Sequence, residues 1–588
     1  MAASCGTRRS ATPIGAAGCD KLGWCWDNPS PQGNALQAIW GASRDDVWAV
    51  GESGAIVHWD GKVWSAANSP TRDTLYAIWG AKADDIWVGA RGGLLLHWNG
   101  ARWSEFRAPG STDYIRALWG TGPNNVWAVG WGGAILHWNG TMWSAVDSKT
   151  TEFLLGLWGS GPSDVWAVGV GGILLHWDGQ QWSRSVNPSR KDLTGVWGSG
   201  PTDVWAVGEE GVILHWNGKA WAAAANPNGA LLSGVWGTGP QSVWAVGKMV
   251  VLHWDGERWA AQRADRPSSL WAIRGSSSRD IWAVGGPGGA IVHSTGSDWV
   301  TVTRYHTGHL FGIWGSSPDE LWASGDEPGR LLRRSGGIWE LVSSNTEQPL
   351  FGVWGTSRKD VWAVGMEGAV VHWNGTAWSA VESGTKADLG PVWGSGPHDI
   401  WAVGSGGTIL HWNGSAWSQT PSGTEEFLDA VWGSGPRDVW AVGREGTILH
   451  WNGQAWSATT SGTTEELYGV WSCTPRDAWA VGYGGTVLHW DGERWSGEYS
   501  GGLTLLSVWG SGPRDIWAVG GHGLVLHWDG TEWTYASEVT MQDLTRVWGV
   551  DANNVMVVGA DGTILRRDRS RVVRGYTIKG PQKWHSFK

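Results

Sequence analysis

Apolar positions along this chain come in short bursts, each cut off within a few residues by turn formers. The stretch "LDAVWGSGPRDVWAVGREGTILHWNGQAWSAT", residues 428–459, contains four such bursts: "LDAVW", "DVWAVG", "TILHW" and "AWSAT". All are rich in β-branched and aromatic residues, none reaches helix length, and Gly, Pro or Asn separates them, which predicts strands. The Asn-Gly between the third and fourth is a strong hairpin signal, because a type I′ turn needs positive φ at both central positions. The unit is therefore expected to be a four-stranded antiparallel meander.

The same pattern recurs along nearly the whole sequence. The Trp of the "DVWAVG" segment falls at 48, 87, 127, 166, 205, 244, 282, 322, 362, 401, 440, 479 and 517, and Met556 takes the slot in a fourteenth copy. Four strands in a unit of 38–40 residues, repeated head to tail, form the signature of a β-propeller blade. The repeat resembles the Trp-rich propeller repeats of bacterial surface proteins, similar in style to the Asp-box (BNR) and tectonin groups. Its hairpin "HW[ND]GxxW" is one residue shorter between acid and Trp than the Asp-box pattern. The expected fold is all-β, with fourteen blades in two seven-bladed rings; one fourteen-bladed ring is the alternative. Repeats 1–7 would occupy 36–303 and repeats 8–14 would occupy 304–579, with an N-terminal segment 1–35 and a tail 580–588. Either Trp24 or Trp26 in "CDKLGWCWDNPSPQGNA" or the C-terminal "RVVRGYTI" would supply a ring-closing outer strand.

Composition sharpens this picture. The 588 residues include 55 Trp and 92 Gly but only 8 Tyr and 6 Phe. Four Trp columns run through the repeats, represented in one blade by Trp432, Trp440, Trp451 and Trp456. A buried aromatic removes ~150–250 Å² from water, so these columns read as blade-to-blade core. Twelve of the 17 His precede the third-strand Trp position, as His450 does. The repeat offers each of them one acid, such as Asp438, so a His–acid hydrogen bond is expected rather than a metal site. No metal and no cofactor are expected.

A formal charge of -11 argues against nucleic acid as partner, which needs a concentrated basic face. The basic cluster Arg566, Arg567, Arg569, Arg571, Arg574 and Lys579 reads as a solvated chain end. No run is long enough to span a membrane. "AASC" before Gly6 resembles the end of a lipoprotein cleavage box, so a start further upstream would make Cys5 a lipid anchor and the protein extracytoplasmic, in the periplasm or at the cell surface. Cys19 and Cys25 are placed to pair locally in that setting. Asn139, Asn374 and Asn413 begin sequons that the hairpin turns explain.

The "GSGP" and "NG" turns vary little between copies, whereas the connections at the other end of the blade vary freely. Loops on one rim of a rigid scaffold are where binding residues usually lie. The candidate contacts there are Trp131, Tyr483, Arg444, Glu209 and Asp326. No hydrolase, zinc or phosphate-loop motif appears, so the expectation is no catalysis. The reading is a monomeric scaffold that recognises a protein partner through this rim. A lectin-like glycan binder is the alternative and a propeller glycosidase the remote one.

Overall fold

The structure is a computed structural model. It describes residues 23–28, 32–110, 113–263, 269–286, 289–296, 298–302, 308–336, 338–500, 502–537 and 539–568. Among them, the regular elements are strands and single 3-10 turns, arranged as fourteen four-stranded antiparallel sheets. The tandem-blade, Trp-rich β-propeller expected from the repeat is what the chain forms. Thirteen sheets take four consecutive strands each. The fourteenth takes Leu544–Asp551, Asn554–Gly559 and Ile564–Arg567 from the end of the chain, and its outermost strand is Trp24–Asn28. Of the two closing strands considered above, the N-terminal one is seen in place. "RVVRGYTI", like Cys5 and Cys19, lies outside the described residues. Cys25 is disulfide-bonded, and Cys473 is a free thiol.

Local sequence fixes each blade. In blade 11, Leu428 pairs with Gly443 and Ala430 with Val442, so Asp429 is an extra residue displaced from the pleat as a β-bulge. The tight turn Arg444–Gly446 then reverses the chain, with Glu445 and Gly446 at φ 50° and 66°. A Cβ on Gly446 would lie 2.1 Å from the Thr463 carbonyl oxygen, so glycine is required there by both space and conformation.

Packing between blades repeats one device. Trp440, on the second strand of blade 11, stacks on its own His450 at 4.1 Å and meets Trp490 and Trp495 of blade 12 at 5.2 Å each, the latter edge to face at 88°. His450 Nε2 is 2.7 Å from Asp438 Oδ1, and Ser434 Oγ donates to the other carboxylate oxygen at 2.6 Å. The His–acid bond expected from the sequence recurs from His58–Asp46 to His527–Asp515. Burial alone would raise the Asp438 pKa, but the hydrogen bonds from His450 and Ser434 outweigh it and hold the carboxyl below its ordinary value.

These contacts run from blade to blade and close twice. Trp282 of blade 7 meets Trp59 and Trp64 of blade 1 at 5.2 and 5.4 Å, and the first strands of those two blades, Leu36–Ser43 and Leu270–Ser277, lie together. The first strands of blades 8 and 14, Leu310–Ser317 and Leu544–Asp551, do the same. Trp24 supplies the outer indole of blade 14, meeting Trp517 of blade 13 at 5.5 Å and 78°. Asp27 beside it accepts hydrogen bonds from Arg334 Nε at 3.0 Å and Trp339 Nε1 at 2.7 Å, both on blade 8. Further along, Asn34 donates to the Val539 carbonyl at 3.2 Å, tying the segment before blade 1 to the loop before blade 14.

Two residues of the basic cluster depart from the sequence reading. Arg566 and Arg567 belong to the third strand of blade 14 rather than to a solvated tail. The Arg567 guanidinium lies 4.3 Å over Trp517, where other blades place an indole.

Trp24→Ala is expected to destabilise the circuit of blades 8–14 by about 3–5 kcal/mol, the usual cost of truncating a buried Trp. Urea unfolding should show a loss comparable to that of Trp182→Ala, which removes the same indole from blade 4. Wild-type stability in Trp24→Ala would show that the N-terminal strand is dispensable.

Candidate functional site

Each blade presents two variable connections at one end: the turn between its second and third strands, and the loop leading into the next blade. The five rim residues singled out in the sequence all occupy the first position after the second strand, but on blades 3, 5, 8, 11 and 12. They therefore divide between the two circuits and do not converge on one point. Trp131 and Tyr483 are 49% and 55% exposed, and Arg444 and Glu209 are exposed as well.

Around Trp131 the structure gathers aromatic residues that the repeat does not supply. Tyr114 and Phe153, each just before the first strand of its blade, lie 5.9 and 5.2 Å from the Trp131 ring. Tyr76 meets Tyr114 at 5.6 Å. Arg91 lies over Tyr114 and Arg116 over Tyr76, at 5.9 and 5.8 Å. Sequence reasoning missed these partners. The available signal was that Tyr and Phe are rare here, and several sit at the entry of the first strand, outside the four Trp columns.

Around Arg444 the chemistry is different. Arg444 stacks over Phe427 at 5.3 Å. The bulge residue Asp429 has a buried carboxylate oxygen without a hydrogen-bond partner. Burial pushes its pKa to about 7, opposed by Arg444 and Arg546 and reinforced by Glu466. Tyr468 donates to Glu466, and Arg546 donates from Nε to the Phe311 carbonyl at 3.2 Å.

A third group joins the two circuits. Glu52 stands in the turn Glu52–Gly54 of blade 1, fixed by its backbone N–H to the Ala35 carbonyl at 2.9 Å. Asp561 stands in the turn Ala560–Gly562 of blade 14, at φ 52°, and Gly562 donates to the Gly308 carbonyl at 2.9 Å. Asp326, one of the sequence candidates, donates its N–H to the His309 carbonyl at 3.0 Å. Burial, then the charge of Asp561, raises the Glu52 pKa. Burial also raises that of Asp561, with His309 opposing and Asp326 adding to the effect. Two half-buried carboxyls, one from each circuit, thus lie within electrostatic reach, and both hold protons more tightly than usual. Two carboxyls in unequal surroundings are the groups that acid–base chemistry requires. Neither Glu52 nor Asp561 was a sequence candidate, because an acid in a surface turn carries no signal until the fold brings its partner. Among the described residues, no group of three or more His, Cys, Asp or Glu is arranged to hold a metal ion.

No protein-family profile matches the chain, and no curated protein matches it. The fold does have solved relatives. A GH74 xyloglucanase from Xanthomonas campestris matches at TM-score 0.61 and 12% identity, over 93% of this chain and 99% of that one. YCF48 bound to D1 peptide matches at TM-score 0.40 and 17% identity, over 45% of this chain and 94% of that one. YCF48 from Cyanidioschyzon merolae matches at TM-score 0.39 and 17% identity, over 46% and 98%. The near-full-length match stands against the sequence reading of a non-catalytic scaffold for a protein partner, because a protein that shares this architecture over 93% of the chain is a xyloglucanase. At 12% identity the likeness itself extends to the fold.

The raised Asp429 pKa has a stability consequence. The folded state binds this proton more tightly than the unfolded chain, so stability falls as pH rises from the unfolded value near 4 toward the folded value near 7. Asp429→Asn should therefore melt at higher temperature than wild type at pH 8, and the two should agree at pH 4. Equal melting temperatures at both pH values would show that the carboxyl is ordinarily solvated.

Proposed function

We propose that the protein is a glycoside hydrolase acting on a polysaccharide, with Glu52 and Asp561 as its working carboxyls. The observation that carries this reading is that Asp561 of blade 14 acts electrostatically on Glu52 of blade 1, adding to the burial that raises the Glu52 pKa. We take the circuits to be two seven-bladed rings, residues 36–303 and 304–579. Glycoside hydrolysis needs one carboxylic acid to protonate the leaving oxygen and one carboxylate to stabilise or capture the sugar cation, or to activate water. Glu52 is assigned the acid role, since burial and then the neighbouring negative charge of Asp561 raise its pKa. Asp561, raised by burial with His309 opposing, takes the other role.

A structural neighbour that acts on xyloglucan favours a β-linked glucan as the first substrate class to try. Trp131 with Tyr114 and Phe153 on one circuit, and Tyr483 on the other, offer exposed ring faces on which sugar rings can stack. A polymer of this size is met outside the cytoplasm, in keeping with the disulfide at Cys25.

The test is release of reducing ends from xyloglucan and related β-glucans. Wild-type protein should show turnover that declines on the alkaline side as Glu52 loses its proton. Glu52→Gln and Asp561→Asn should each lower the rate by about 10²-fold or more, in the range for loss of a general acid or base, without lowering the melting temperature. Absence of turnover on every glucan, or unchanged rates in both variants, would remove this assignment.

A further inference from the structure

The column of first-strand tryptophans holds an indole in thirteen blades and an arginine, Arg274, in blade 7. Elsewhere in the first circuit that indole fills a fixed seat against a glycine of the following blade. A Cβ on Gly80 would lie 2.8 Å from the ring of Trp40, and one on Gly237 would lie 2.7 Å from Trp197. The same holds at Gly120, Gly159, Gly198 and Gly275, at 2.6–2.8 Å. Gly41 of blade 1 is the corresponding glycine where blade 7 closes the circuit. A Cβ there would meet Val47 Cγ2 at 3.3 Å and the local backbone at 3.4 Å, with no atom of blade 7 among its three nearest neighbours. The seat is open.

What remains is a cavity of about 280 Å³, lined among others by Gly41, Ser43, Val47, Arg274, Asp280 and Trp282. It lies at the hairpin end of the blades, opposite the turn that carries Glu52. Among the described residues, nothing hydrogen-bonds or ion-pairs with the Arg274 guanidinium. The residue is exposed, yet enough protein surrounds it that desolvation lowers its pKa. Asp280, the acid on the same wall, is committed elsewhere: Ser276 donates to one of its oxygens at 2.5 Å, and His293 Nε2 lies 2.8 Å from the other. The recess therefore combines the place of a missing indole with one uncommitted cation.

We infer that this seam is a binding pocket for a small planar aromatic carboxylate. The ring occupies the place that an indole takes between the other blades, and the carboxylate meets Arg274, whose planar fork matches it with two parallel hydrogen bonds. The volume falls just below the ~300–1,000 Å³ usual for drug-sized ligands, which selects a single ring system. This site is independent of the carboxyl pair on the opposite rim.

Indole-3-carboxylate is the probe, titrated calorimetrically into the full-length protein. Saturable binding at one site is expected. Arg274→Ala should weaken it about tenfold or more, the loss expected when charge-assisted hydrogen bonds go. Arg274→Trp should refill the seat, abolish binding and raise the melting temperature by about 2–4 °C. No saturable binding at millimolar probe, or binding that survives Arg274→Trp, would overturn the inference. A gain in melting temperature for Arg274→Trp without wild-type binding would also overturn it, since the seam would then be only an underfilled joint.

Discussion

The edge-to-face contact between an indole on the second strand of one blade and an indole on the fourth strand of the next organises this molecule. A four-stranded sheet of this size has two faces and too little chain to cover either, so its stability resides in its neighbours. Each such aromatic pair contributes about 0.5–1.5 kcal/mol beyond the area it buries. The geometry of the contact also fixes how the next blade is set. Where the third strand departs from the His-Trp pattern, a cation takes over. Arg333 lies over Trp322 and Trp373 at 5.3 and 5.4 Å, and its Nε bonds Glu320 at 2.8 Å in place of the His–Asp pair. Arg567 does the same over Trp517. Both replacements lie in the circuit of blades 8–14, at the joints of blade 8 with blade 9 and of blade 13 with blade 14.

A second constraint follows from placing charges beside so much apolar surface. The repeated aspartates are partly buried, which by itself favours their protonated form. At Asp164, Asp203, Asp360, Asp399 and Asp438 the imidazole and hydroxyl beside the carboxyl reverse that preference. The stabilisation is present above the unfolded carboxyl pKa and is lost as pH falls through the depressed folded value. At the rim no such partners are built in, and Asp429, Glu52 and Asp561 shift the other way. The contrast between satisfied acids inside the blade and unsatisfied acids at its variable end separates scaffold from site.

Much of the architecture was legible in the sequence because it is encoded locally and fourteen times over. Alternation gives the strands, Asn-Gly gives the hairpins, and the acid twelve residues before His450 announces its hydrogen bond. The closing strand was visible only as two alternatives, since the pairing of Trp24 with Arg567 depends on contacts remote in sequence. The rim was harder. Trp131 and Tyr483 stood out as aromatic residues outside the columns, and both are exposed. Asp429 was hidden inside a strand that reads like the other thirteen, because its bulge follows from pairing and not from composition. Glu52 and Asp561 could not be matched at all, since each gains meaning only from the other.

Pairing the first strand with the last also sets an order of events during synthesis. Trp24–Asn28 leaves the ribosome before any of these fourteen blades is complete, and the strand it joins, Ile564–Arg567, is made only after the other thirteen. At ~5–20 residues per second, the wait is on the order of a minute. Through that interval the indole of Trp24 and the sulfur of Cys25 have no sheet to shelter them. The nascent chain thus carries a sticky, oxidisable leader past thirteen maturing blades, each displaying similar edges. Faithful closure depends on that segment ignoring thirteen near-copies of its destination, a kinetic problem of self-recognition that the finished molecule no longer displays.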